Sequence, residues 1–184
     1  MKQDDSYNIF VGQEDAAKCI EYIEIPPGRR KQLSATASAA EISELRRVIG
    51  AVGWVARQTR ADLLARTSLL AQQLSLPTVS SLVETNKLVK LAISGAHLGL
   101  VFRADIGLDF NSMSIVCVAD AAHANVIFDG EKVKSQAGYM LGLKAKDRTG
   151  VQLVEFSTGT IRRVCRSSLA CEANAMITAM ESAD

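Results

Sequence analysis

No apolar run in the sequence approaches the roughly 18 residues that a membrane span needs. The polar opening Met1-Lys2-Gln3-Asp4-Asp5 lacks the pattern of a signal peptide. The expectation is a soluble chain, neither secreted nor membrane-bound, placed inside the cell in cytoplasm or nucleus. A dominant charge is missing too: 21 Lys and Arg face 20 Asp and Glu, a net charge of +1. No overall positive field draws in a polyanion, so any nucleic-acid contact must come from local clusters of Arg and Lys. The four cysteines, Cys19, Cys117, Cys165 and Cys171, show no paired metal-ligand spacing. Cys117 and Cys171 fall in stretches expected to be core, and all four read as reduced thiols. Internal repeats are absent, and the small-residue run 34–40 is the only compositional bias.

What is present is a chain of 184 residues with 48% hydrophobic content, enough to bury the core of one or two small domains. Residues 7–11 read as a short strand and 13–22 as a helix with Ala16, Ala17 and Ile20 on one side. Residues 25–31 read as a loop, because Pro26 and Pro27 cannot continue a helix, and Arg29, Arg30 and Lys31 follow in a row. Such a run is either a solvated linker or a contact for phosphates. Ser38 and Glu41 have the spacing of a capping box, and Ile42, Leu45, Ile49, Val52 and Ala56 trace one face of the helix that follows. Gly50 and Gly53 in that helix suggest close approach of another backbone, with Trp54 packed at the crossing. Thr59 is the expected cap of a second helix carrying Leu63, Leu64, Leu70 and Leu74. After Pro77-Thr78 a third helix carries Val79, Leu82, Val83, Asn86, Val89 and Ile93, and the three form a bundle-like unit. A strand at 98–102 and a connection over 103–113 complete this half.

Beyond it, Ile115-Val116-Cys117-Val118-Ala119 is a continuous apolar run ending at Asp120. It reads as a strand buried on both faces, with Asp120 at the edge of a sheet where open α/β folds keep ligands. A plain turn-starting Asp is the alternative. Residues 134–143 and 151–157 read as two more strands joined as a hairpin by the polar link 144–150. Ser167-Ser168 offers a cap for a last helix, whose apolar stripe is Leu169, Ala173, Met176, Ile177 and Met180, with Glu172 beside it. His123 reads as a loop residue, and His97 has no acidic or cysteine neighbour in sequence.

The order strand ending in Asp, strand, strand, helix carrying Glu resembles the opening half of a ribonuclease H fold. The residues resemble the ribonuclease H domain of copia-type retrotransposon polyproteins. Its Asp-Ala-Asp-Trp-Ala strand is similar to Asp120-Ala121-Ala122-His123-Ala124, and its Lys-Ser-x-x-Gly-Tyr strand to Lys134, Ser135, Gly138 and Tyr139. The helix motif Ser-Ser-x-x-Ala-Glu-x-x-x-Met is similar to Ser167 through Met176, with Cys171 interrupting the usual Ala-Glu pair. Upstream, Gly50, Trp54, Thr59, Arg60, Ala61 and Asp62 resemble the family's polymerase thumb pattern, with Ala61 where Pro is usual. The departures are Ala122 for the second acid and His123 for Trp.

The resemblance implies an α+β chain in which a helical thumb/connection-like unit precedes an incomplete ribonuclease H-like mixed α/β half-domain. Its parts are 1–33 (palm-to-thumb strand, helix and basic loop), 34–105 (helical region) and 106–184 (three strands and the first helix). It implies a parent enzyme that copies RNA into DNA and hydrolyses the RNA of the hybrid by two-metal catalysis. Asp120 and Glu172 would be vestigial catalytic residues and Mg²⁺ ligands of that site. Arg29, Arg30, Lys31, Arg162 and Arg163 would contact an RNA:DNA hybrid or duplex, weakly, and the rest of the polyprotein is the other implied partner. The family's Tyr-x-Asp-Asp pair is missing, since Asp4-Asp5 precedes Tyr7. The later ribonuclease aspartates find no counterpart: Asp184 lies 12 residues past Glu172 along the helix, about 18 Å away. The chain alone is therefore expected to be inactive, with a non-catalytic nucleic-acid-binding module and an inert pseudogene product as the alternatives.

Overall fold

The computed structural model describes residues 1–106, 112–128, 132–146 and 149–184, and for 125–128, 132 and 133 the backbone alone. In chain order the elements are β1 (Lys2–Gln3), β2 (Ile9–Gly12), α1 (Glu14–Lys18), α2 (Pro27–Arg30), α3 (Ala39–Gln58) and α4 (Ala61–Gln72). Then follow α5 (Val79–Ser94), β3 (Gly99–Phe102), β4 (Met113–Phe128), β5 (Lys132–Ala145), β6 (Gln152–Thr160) and α6 (Ser168–Ala183). They divide into a helical unit, Gln13–Leu98 with Phe128–Lys132, and a sheet unit, Met1–Gly12 with Gly99–Ile127 and Val133–Asp184. The architecture is α+β. Among the described residues no helix is long and apolar enough to cross a membrane.

In the helical unit the capping box forms as its residues require. Ser38 N–H donates to Glu41 Oε2 at 2.7 Å and Glu41 N–H to Ser38 Oγ at 3.3 Å. From there α3 buries Leu45, Val48, Ile49, Val52, Val55 and Ala56 against α4 and α5. Each large aliphatic side chain so buried contributes about 1.5 to 3 kcal/mol. The bundle meets the expectation, but three of its details do not. Trp54 is 55% exposed, because it stands nine residues past Leu45, about two and a half turns, and so faces away from the stripe. Of the two glycines only Gly53 meets a neighbour: a Cβ there would touch Thr67 Cγ2 at 3.4 Å, while Gly50 faces open space. The cap of α4 is Arg60, one residue later than expected. Thr59 ends α3 instead, and its hydroxyl donates to Gln13 Oε1 at 3.1 Å.

The expected helix over 13–22 stops at Lys18. Beyond it Asn86, on α5, accepts from Ile23 N–H and donates to Ile23 O, both at 2.8 Å, holding that backbone extended while Ile20, Ile23 and Ile25 are buried. Residues 25–31 are not wholly loop: Pro27 takes the first position of α2, where its missing N–H costs nothing.

In the sheet unit β1, β2 and β3 form an antiparallel sheet in that order, with Ile9 opposite Phe102 and Gly12 opposite Gly99. A Cβ at Gly99 would strike the Val11 carbonyl, so glycine is required there. The second sheet has the order β4-β5-β6, and β5 pairs antiparallel with β6 from Gln136 opposite Thr160 to Leu143 opposite Gln152. That hairpin is the expected one. Residues 107–111 of the expected 103–113 connection and 147–148 of the link 144–150 lie outside the described residues.

Among the described residues the strand that the full ribonuclease H order would make central lies at the edge of its sheet, the open edge expected where no fourth strand pairs with it. β4 does not end at Asp120 but runs on to Phe128, so Asp120 sits within a strand and not at its C-terminal end. Ile115 is 54% and Val118 62% exposed, and Cys117 is exposed rather than core. A run of apolar residues identifies a strand, but what packs on the faces of the sheet decides burial, and among the described residues β4 is the edge of its sheet beside β5. α6 is likewise turned from the orientation expected: Cys171, Ala175 and Ala179 are buried, while Leu169, Met176, Ile177 and Met180 are exposed. The small side chains face the interior, and the large ones lie outside.

Candidate nucleic-acid interface

The residues that carry the family resemblance hold the backbone together. Ser135, from the β5 motif, is buried, and its hydroxyl accepts from Ala124 N–H at 3.0 Å. Ala124 has φ of 52°, a left-handed conformation costing a non-glycine residue about 1 to 2 kcal/mol. The Ser135 bond thus fixes a kink in β4 just past His123. Gly138 leaves room for the β6 backbone, since a Cβ would stand 3.3 Å from Ser157 O. The Tyr139 hydroxyl donates to Glu155 Oε1 at 2.6 Å and meets Ser182 Oγ at 2.8 Å, joining β5, β6 and α6. Burial, and then the bond to Glu155, push its pKa up. Ser167 caps α6, accepting from Ala170 N–H at 3.2 Å.

Asp120 is exposed on β4 and Glu172 half-buried on α6. Among the described residues no group of three or more His, Cys, Asp or Glu is placed to hold a metal ion. Two-metal hydrolysis needs several carboxylates around ions about 4 Å apart. Asp120 and Glu172 would supply two of those carboxylates. His123 belongs to β4, not a loop, and its Nε2 lies 3.2 Å from Cys165 O.

The basic residues separate into engaged and free. Arg29 is committed: Nε and Nη2 donate to the two Glu41 carboxylate oxygens at 2.9 Å each, Nη2 also to Thr36 O at 2.7 Å, and Nη1 to Gln32 Oε1 at 3.2 Å. These bonds give Arg29 a structural task at the start of α3. Arg30 and Lys31 are both exposed on the same short segment. In the sheet unit, Arg162 and Arg163 are exposed just past β6, and neither has a carboxylate partner among the described residues.

These two arginines line an open cavity of about 320 Å³ between the β5–β6 hairpin and α6. Tyr139, Thr158, Asn174 and Glu181 line it as well. Most of that polar lining is internally satisfied: Thr158 Oγ1 donates to Ala137 O at 2.7 Å, and Asn174 Nδ2 to Ala170 O at 2.7 Å. Arg162 and Arg163 add guanidinium donors to that lining with no ion pair among the described residues. Sequence spacing pointed to the arginines but not to the cavity, which exists only once α6 lies on the hairpin.

Comparison with protein families, with curated proteins and with solved structures returns no match for this chain.

Proposed function

We propose that this chain is a segment of a copia-type retrotransposon reverse transcriptase/ribonuclease H that binds nucleic-acid backbone and does not by itself catalyse polymerisation or hydrolysis. The observation that carries the binding is the pair Arg162 and Arg163, exposed, in no ion pair among the described residues, and set at a cavity beside α6 that Glu181 also lines. The lineage is supported by the motifs of the sequence together with the β4-β5-β6 strand order followed by a helix. Those motifs have structural tasks: Ser135, Gly138, Tyr139 and Ser167 build the hairpin and cap α6. In this reading Asp120 and Glu172 are remnants of a metal-binding set that the described residues do not complete.

Guanidinium groups bind phosphate through paired N–H donors and need no base sequence to do so. The ligand class is therefore duplex or RNA:DNA hybrid backbone, bound weakly. The test is titration of a labelled RNA:DNA hybrid at increasing KCl. Two phosphate contacts give a log-log slope of about −2, and Arg162→Ala with Arg163→Ala should remove most of it. An unchanged slope in the double variant would show that the arginines are only solvated.

A further inference from the structure

The thiols of Cys165 and Cys171 are absorbed by no part of that reading, and the structure brings them together. Asn174 Nδ2 donates to Ala170 O at 2.7 Å and to the Cys165 sulfur at 3.6 Å. The Cys165 sulfur therefore lies over the turn 170–174 of α6, the turn that carries Cys171. That contact sets the Cys165 sulfur beside the stretch of α6 that contains Cys171, and neither cysteine is in a disulfide. Cys171 is fully buried and Cys165 half-exposed, so an oxidant arriving from solvent meets Cys165 first and finds Cys171 behind it. The segment between them is held in place, since Ser167 caps the helix and the Cys165 carbonyl lies 3.2 Å from His123 Nε2.

We propose that Cys165 and Cys171 form a reversible disulfide that pins the segment 162–166, with Arg162, Arg163 and Arg166, to the first turns of α6. A hydroperoxide is the oxidant class. The Cys165 sulfur takes the terminal peroxide oxygen, its S–H proton goes to the departing oxygen, and the products are a sulfenic acid and an alcohol or water. The Cys171 sulfur then attacks the sulfenic sulfur, the S–S bond forms, and hydroxide leaves as water with the Cys171 proton. Two electrons pass from the thiols to the peroxide, and a small dithiol returns them. Exposed Cys19 and Cys117 serve as internal controls.

The test uses the full chain, reduced, freed of thiol, treated with hydrogen peroxide, blocked with N-ethylmaleimide and digested with trypsin without reduction. The expected product is peptide 164–166 joined to 167–184, lighter than their sum by two hydrogen atoms and split by dithiothreitol. Cys165→Ser, at a half-exposed position that leaves the interior intact, should abolish it, and Cys117→Ser should leave it. Recovery of both cysteines in blocked form, or of Cys165 joined to Cys19 or Cys117, would overturn the assignment. Hybrid binding does not enter this readout, so its failure is separable from failure of the nucleic-acid reading.

Discussion

Arg29 and Glu41 are joined by two parallel hydrogen bonds, Nε to Oε1 and Nη2 to Oε2, each 2.9 Å long. The pair ties α2 to the start of α3, and Glu41 serves in the capping box as well. The Arg29 bond, then the Ser38 backbone N–H, hold the Glu41 carboxyl well below its ordinary 4.5, at about 2.

Because the folded pKa lies below the unfolded one, the contribution is present above pH 4.5 and is lost as pH falls toward 2. Glu41→Gln should cost about 1 to 3 kcal/mol at neutral pH and flatten the stability profile through that window. Urea melts from pH 7 to pH 2 measure both, and an unchanged profile in the variant would remove Glu41 from the account.

Arg60 is 3% exposed, grips Asp62 with two bonds of 2.8 Å, and donates through Nη1 to the carbonyls of Ala92 and Gly95 at the end of α5. Arg60→Ala leaves those acceptors without partners and should cost about 3 to 5 kcal/mol. Arg60→Lys should recover only part of this, since an ammonium cannot span the carboxylate and both carbonyls. Thermal melts of the two variants decide it: equal melting temperatures for wild type and Arg60→Ala would contradict the contact.

Gly50 and Gly53 look equivalent in sequence but should not behave alike. With open space at Gly50, Gly50→Ala should stabilise α3 by up to about 1 kcal/mol. Gly53→Ala must press on Thr67 Cγ2, so its gain should be smaller or absent. Denaturant midpoints of the two variants, compared side by side, read the difference directly.

Val118, 62% exposed on edge strand β4, and the outward Leu169, Met176 and Met180 of α6 make the sheet unit prone to self-association. Val118→Lys should lower the associated fraction in sedimentation velocity while leaving the melt cooperative. For the same reason a fragment 114–184 should aggregate more readily than a fragment 34–95, whose helices make local contacts. Size-exclusion profiles of the two fragments provide the check.

What the sequence by itself determined was local. Ser38 with Glu41 marked the start of α3, the spacing of Leu45, Ile49, Val52 and Ala56 marked its buried face, and Ser167 marked the start of α6. Each rests on contacts within a few residues or on one clear period. The tertiary structure decided what depends on neighbours. α6 is apolar on more than one side, so periodicity offers two stripes, and the hairpin takes Cys171, Ala175 and Ala179, whose small side chains let the helix lie close. β4 has a central strand's composition but among the described residues pairs with β5 at the edge of its sheet, and Ile115 and Val118 stay exposed. Arg29 sits in a basic run that reads as a phosphate contact, and only the fold sets its guanidinium on Glu41, 12 residues on. The pairing of Cys165 with Cys171 and the cavity beside Arg162 and Arg163 likewise arise only where α6 folds back onto β5 and β6. Residue spacing fixes which face a helix can offer, and packing fixes which face is used.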